Sequence, residues 1–152
     1  MKNFWFIFIF LIGCGKEADN TAEIISREPW NINAFKKTLF INNVFDTTLT
    51  VSSASCEHYG TLVFNKDLSG KFTSTCGGSY SGIWQYENQA LNIVFVPPGT
   101  TFTGFAFPDG KIKLLTNHQL HLERMYLRNG GINPNTGKED TLKYIEELIL
   151  SR

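Results

Sequence analysis

Charge of one sign, a long apolar run and any recognisable catalytic motif are all missing from this chain of 152 residues. Lysine plus arginine equals aspartate plus glutamate at 14 each. With no basic stripe, a nucleic-acid role has no electrostatic support. The apolar run at residues 4–12 is nine residues long, far short of the roughly 20 that a helix needs to cross a hydrocarbon core. G-x-S-x-G, P-loop, H-E-x-x-H and EF-hand patterns do not occur. No enzyme activity, metal or cofactor is therefore expected, and no catalytic residue is nominated. Cysteine is scarce at three, enough for one pair and one residue over. What is plentiful is phenylalanine, at 13, with Thr, Val and Ile recurring between glycines. This is the composition of a β protein with an aromatic interior.

The nine apolar residues follow a start carrying Lys2 and precede Gly13-Cys14, the layout of a short secretory h-region with a small-residue cleavage site. Leu11-Ile12-Gly13-Cys14 resembles the lipobox of bacterial lipoproteins. The resemblance implies a signal peptide over residues 1–13, cleavage after Gly13 and lipidation of Cys14, hence a membrane partner through its acyl chains. Two or more chains give stable anchoring where one does not. Residue 15 is Gly rather than Asp, so the inner-membrane retention signal of enteric lipoproteins is absent and an outer-membrane address is expected. Lys16-Glu17 with Asp19 resembles the Lys/acidic export signal of surface lipoproteins in the Bacteroidetes, and ordinary tether polarity explains it as well. Residues 14–27 read as a flexible tether, and residues 28–152 as one domain of ordinary size.

Cys56 and Cys76 then form the natural pair, since an oxidising envelope favours disulfides. Closing a loop of about 20 residues contributes on the order of 3 kcal/mol. Two free buried cysteines acting as small hydrophobes are the alternative.

From Gly60 onward the chain reads as short strands punctuated by turns. Leu62 and Phe64 share a face; residues 66–70 supply turn chemistry and residues 71–75 alternate back. Residues 82–87 place Trp84 with Tyr86, Asn88-Gln89 turns, and residues 90–96 place Leu91, Ile93 and Phe95 together. Pro97-Pro98-Gly99 stops pairing. Strands at 101–107 (weakened or bent at Gly104), 111–115 and 118–127 follow, separated by Pro108-Asp109-Gly110 and Thr116-Asn117. Upstream, Pro29-Trp30-Asn31-Ile32 and a segment near Leu39 or Thr48 supply the remaining strands. At the tail, Thr136-Gly137-Lys138-Glu139 fits a capping box. Leu142, Ile145, Leu148 and Ile149 recur at helical spacing, which predicts a C-terminal amphipathic helix. The fold expected is all-β: an antiparallel up-and-down meander of about eight strands closing into a barrel, which removes sheet edges. A sandwich fits the same count, but the short connections favour the meander.

Cys56-Glu57-His58-Tyr59-Gly60-Thr61-Leu62-Val63-Phe64, the Asp67-Leu68-Ser69-Gly70 turn and Lys71-Phe72, followed by Cys76 and Gly82-Ile83-Trp84, resemble the lipocalin-like domains of Bacteroidetes lipoproteins. Asn88-Gln89-Ala90-Leu91-Asn92-Ile93 and residues 114–122 are similar to later strands of that family. The family's opening G-x-W is missing at Trp30, which follows Glu28-Pro29. The resemblance implies a lipocalin-type barrel and a small apolar ligand. Inward-facing Phe64, Phe72, Trp84, Tyr86, Ile93 and Phe95 are the candidate ligand residues. A barrel of this size either fills with side chains or holds one small ligand. A solid-core accessory or inhibitor protein at the envelope, with an unknown protein partner, is the alternative function.

His118 and His121 do not make a metal site, because residues three apart on a strand point to opposite faces. His121 and Glu123 read with Gln119 as a solvated outer row. A Cys56–His58 nucleophilic pair is excluded wherever Cys56 is disulfide-bonded.

Overall fold

A computed structural model describes residues 20–51, 58–96 and 104–152. One short helix, α1 (Thr21–Ser26), precedes nine strands: β1 (Trp30–Ile41), β2 (Val44–Thr50), β3 (Gly60–Phe64), β4 (Ser69–Ser74), β5 (Ser79–Glu87), β6 (Ala90–Phe95), β7 (Phe105–Leu115), β8 (Gln119–Ile132) and β9 (Glu139–Ser151). They form one antiparallel meander sheet, and pairing of β1 with β9 joins it into a ring. The long strand β1 makes this possible. Its start pairs with β3 at Trp30↔Leu62, its far half pairs with β2, and its other edge pairs with β9 throughout.

The hairpins follow from local chemistry. Asn42-Asn43 and Asn88-Gln89 have φ of 52° and 66°, and 52° and 65°. Two consecutive left-handed residues match the twist of the flanking strands, and Asn tolerates that region. Between β3 and β4, Asp67 Oδ1 accepts the Ser69 amide at 3.0 Å and its hydroxyl at 2.6 Å. These Ser69 bonds hold the exposed Asp67 carboxyl below its ordinary value.

Inside the ring, alternation delivers one face of every strand except β2 to a single core. Trp30, Leu62, Phe72, Leu91, Ile93, Phe95, Phe107, Leu120, Leu122, Leu148 and Leu150 are fully buried, each contributing about 1.5–3 kcal/mol relative to exposure. Gly70 and Gly82 are cross-strand partners, and both are glycine for a packing reason. A Cβ on Gly70 would lie 2.4 Å from the Phe95 ring, and one on Gly82 would lie 2.0 Å from the Val94 carbonyl oxygen.

Three expectations need correction. The C-terminal amphipathic helix is instead β9. Buried Glu146, Leu148 and Leu150 alternate with half-buried residues, so Leu148 and Ile149 lie on opposite faces. The supposed capping box is the β8–β9 hairpin loop, in which the Thr136 and Gly137 amides donate to the Asn133 carbonyl and Gly137 takes φ of 66°. Second, Pro108-Asp109-Gly110 lies within β7. Asp109, at φ of 54°, donates its amide to Asn92 Oδ1 at 2.7 Å where the β6–β7 register slips. The turn chemistry is spent on a bulge, and Pro108 lies where β7 has no β8 partner, so its missing N–H costs nothing. Third, the end of the stretch read as tether is α1. The apolar pair Ile24-Ile25 explains it: Ile25 is fully buried in the core, and its carbonyl accepts Trp30 Nε1 at 2.9 Å.

Pairing of β7 with β8 spans only Lys111↔Glu123 to Leu115↔Leu120. Beyond it, β8, β9, β1 and β2 run on together past the ring. There Val44, Phe45, Leu49, Met125, Leu127 and Ile132 are between 59% and 72% exposed. No helix among the described residues is long and apolar enough to cross a membrane.

Candidate ligand-binding site

The six candidate ligand residues come together, but as packed core. Phe64 lies 5.5 Å from Trp84 and 5.9 Å from Phe95, centroid to centroid, and Phe72 lies 5.0 Å from Phe105. Phe72, Ile93 and Phe95 have no accessible surface, so no water-sized gap touches them from outside or within. Phe64 and Trp84 are at 2%, and Trp84 Nε1 donates to the Asn65 carbonyl at 2.9 Å. Tyr86 is half-buried against the same cluster.

Cys14 and Cys56 lie outside the described residues. Cys76 lies in the turn after β4, its amide donating to Ser74 Oγ at 3.1 Å. The neighbouring Thr75 amide donates to the Tyr59 carbonyl at 3.0 Å, which holds this turn beside the start of β3. His121 points outward and meets Glu147 on β9 at 3.1 Å, while Glu123 pairs with Lys113 at 3.2 Å. Leu120 and Leu122 take the inner face, as the strand reading expects. Among the described residues no three metal-ligating side chains gather.

Cavities lie at the ends and seams of the sheet. One of about 290 Å³ lies beside α1, bounded by Glu23, Lys66, Leu68 and Trp84. Another of about 270 Å³ fills the gap where β7 and β8 part, beside Pro108 and Arg128. The most enclosed of the three, about 260 Å³, lies at the end of the ring opposite α1. Phe35, Val51, Phe105 and Ala106 give it apolar walls, and Lys37, Arg124 and Glu146 line it with charge. The His58 ring stacks on Phe35 at 4.8 Å.

Strand register builds the charged group. Glu146 on β9 lies opposite Lys37 on β1 and Arg124 on β8, all on the inward face. Glu146 is 4% exposed. Its Oε2 accepts Arg124 Nε at 2.7 Å; its Oε1 accepts the Tyr126 hydroxyl at 2.7 Å and lies 3.4 Å from Lys37 Nζ. Burial pushes the Glu146 carboxyl up, but the Tyr126 hydroxyl, Arg124 and Lys37 outweigh it and hold the group below its ordinary value. For Lys37, burial pulls the ammonium down and is likewise outweighed, by Tyr126 and Glu146, leaving it raised. Around them, Tyr126 stacks on Tyr144 at 5.1 Å, Lys37 lies 4.5 Å above the Tyr144 ring, and Arg124 lies 4.8 Å above Phe107.

Sequence reasoning missed Lys37, Arg124, Tyr126 and Glu146. The signal was available in the tail read with period two. Tyr144-x-Glu146-x-Leu148-x-Leu150 places one carboxylate on an otherwise apolar face, and such a charge needs partners. The arrangement cannot supply a general base, since both oxygens of Glu146 are occupied. It can hold a small molecule between apolar walls and two cations. Comparison with family models, with curated proteins and with solved structures gives no match for the chain.

Proposed function

We propose that this chain is an outer-membrane lipoprotein whose ring is a lipocalin-like barrel, and that it binds a small, largely apolar ligand. The observation that carries the binding reading is the partly enclosed cavity of about 260 Å³, where apolar walls and a few convergent polar groups meet. On this reading the ligand sits at the Phe35 and Arg124 end of the ring rather than among Phe64, Phe72, Trp84, Tyr86, Ile93 and Phe95.

The anchor supports this placement. Asn20 lies six positions after Cys14, a reach of about 20 Å at most. α1 and the start of β1 therefore stay near the membrane, and the cavity opens at the opposite end, toward solutes. A Cys56–Cys76 disulfide belongs to the same reading, bracing that distal end. Labelled fatty acid is expected on the wild-type protein and not on Cys14→Ala, which also leaves the membrane fraction. Equal labelling of the two overturns the anchor.

A second reading, a solid-core interaction protein, is favoured by the exposed Phe45, Met125 and Leu127, since apolar patches of this kind mark contact surfaces. It predicts no saturable ligand binding at all.

A further inference from the structure

We infer that the distal cavity selects an amphipathic ligand with a single anionic head, which Lys37 and Arg124 hold while Phe35, Val51 and Phe105 cover its apolar body. The inference rests on the ligand-binding reading of that cavity and deepens it. Two cations and one carboxylate line the cavity among the described residues, so its described lining carries one positive charge in excess.

Donor accounting points the same way. A guanidinium has five N–H donors in a fixed fork. Arg124 directs Nε and Nη2 at one oxygen of Glu146, which leaves Nη1 for another acceptor. Lys37 Nζ is 3.4 Å from Glu146, bonds the Tyr126 hydroxyl oxygen as well, and its side chain remains 34% exposed, so the third of its N–H groups is open to a ligand. Glu146 has no such capacity left: Tyr126, Lys37 and Arg124 occupy its two oxygens. A neutral ligand would leave the excess charge facing an apolar surface. A second carboxylate, sulfonate or phosphate oxygen would neutralise it through charge-assisted bonds. A cationic head would meet two like charges at close range.

Matched probes separate the head group from the body. Anilinonaphthalene sulfonate and phenyl-naphthylamine share an aromatic frame and differ by the sulfonate. The purified protein is expected to bind the sulfonate saturably and about tenfold tighter than the neutral probe, the effect of one charge-assisted bond. Lys37→Gln brings the two affinities to near parity, with its melting temperature and neutral-probe affinity recorded alongside. Lys71→Gln, an exposed cation on the outer face of β4, keeps the tenfold preference. Octanoate and octyl phosphate displace the sulfonate probe where octanol does not, and their ranking tells a carboxylate head from a phosphate. Equal affinity for the two probes, equal displacement by octanol, or equal loss in Lys71→Gln overturns the anion inference while the cavity reading stands. If neither probe saturates, the cavity reading itself falls and takes this inference with it.

Discussion

Trp30→Ala is expected to lower the unfolding free energy by about 4 kcal/mol, at the upper end for a large-to-small core substitution. Trp30 has no accessible surface, so the variant leaves a cavity that the ring must carry or collapse around. More than volume is lost. Trp30 Nε1 bonds the Ile25 carbonyl at 2.9 Å, and the Arg152 guanidinium lies 3.8 Å above the indole. Arg152 Nη2 in turn reaches the Ile24 carbonyl at 2.6 Å. The first strand, Arg152 and α1 are therefore fastened at one side chain, which closes the α1 end of the ring. Arg152 Nε and Nη1 are buried without a hydrogen-bond partner among the described residues, so the ring face of Trp30 is what offsets their desolvation. Trp30→Phe keeps the stacking surface and loses the Nε1 bond, and a smaller loss of about 1–2 kcal/mol follows. Urea unfolding followed by circular dichroism checks both. A cost below 1 kcal/mol for Trp30→Ala would contradict the closure described here.

Glu146→Gln is expected to cost about 2 kcal/mol at neutral pH. Removing one partner from a buried pair commonly costs 3–5 kcal/mol, and the loss is smaller here because Lys37 and Arg124 are partly exposed and regain water. The pH dependence carries the more specific signature. The folded Glu146 carboxyl is held below its ordinary 4.5, so the unfolded chain binds its proton first as pH falls. Its stabilisation is present above pH 4.5 and is lost as pH drops through the lower folded value. Lys37, raised above its ordinary 10.5, behaves in the opposite sense: its share is present below pH 10.5 and is lost as pH rises past the folded value. The charged group thus stabilises the fold across the whole interval between. Glu146→Gln removes the acid-side fall that this carboxylate contributes, so the stability difference between wild type and variant shrinks below pH 4.5. A difference that stays constant from pH 7 to pH 3 would contradict the ion-paired geometry.

The central hairpins were legible because their turn and strand signals are local. Asp67 captures Ser69 two residues on, Asn88-Gln89 takes two left-handed positions, and Leu62/Phe64, Trp84/Tyr86 and Leu91/Ile93 alternate beside them. β1 and β2 were blurred because Asn42-Asn43 is the same turn without a clean alternation around it. β9 was misread because two periods coexist in it. Leu142, Ile145, Leu148 and Ile149 satisfy a helix, while Tyr144, Glu146, Leu148 and Leu150 satisfy a strand. Tertiary context decides, since a strand here pairs with β8 on one edge and β1 on the other. The site was illegible for a related reason. Lys37, Arg124 and Glu146 meet only through the registers of three strands, and no periodicity within one segment shows that. Conversely, the inward aromatic set was found correctly as a face. Whether such a face encloses a cavity depends on how large side chains interdigitate across the ring, as Phe72 does with Phe105.

The central claim is that a ligand enters beside Lys37, Arg124 and Glu146 and not among the phenylalanines of β3 to β6. Amide chemical shifts of the labelled protein, followed while anilinonaphthalene sulfonate is titrated to saturation, test it most directly. Shifts concentrated at Val51, His58, Ala106 and Arg124, with Phe72, Ile93 and Phe95 unmoved, are the predicted result. Shifts concentrated at Phe72, Ile93 and Phe95, with the Arg124 region silent, would contradict it.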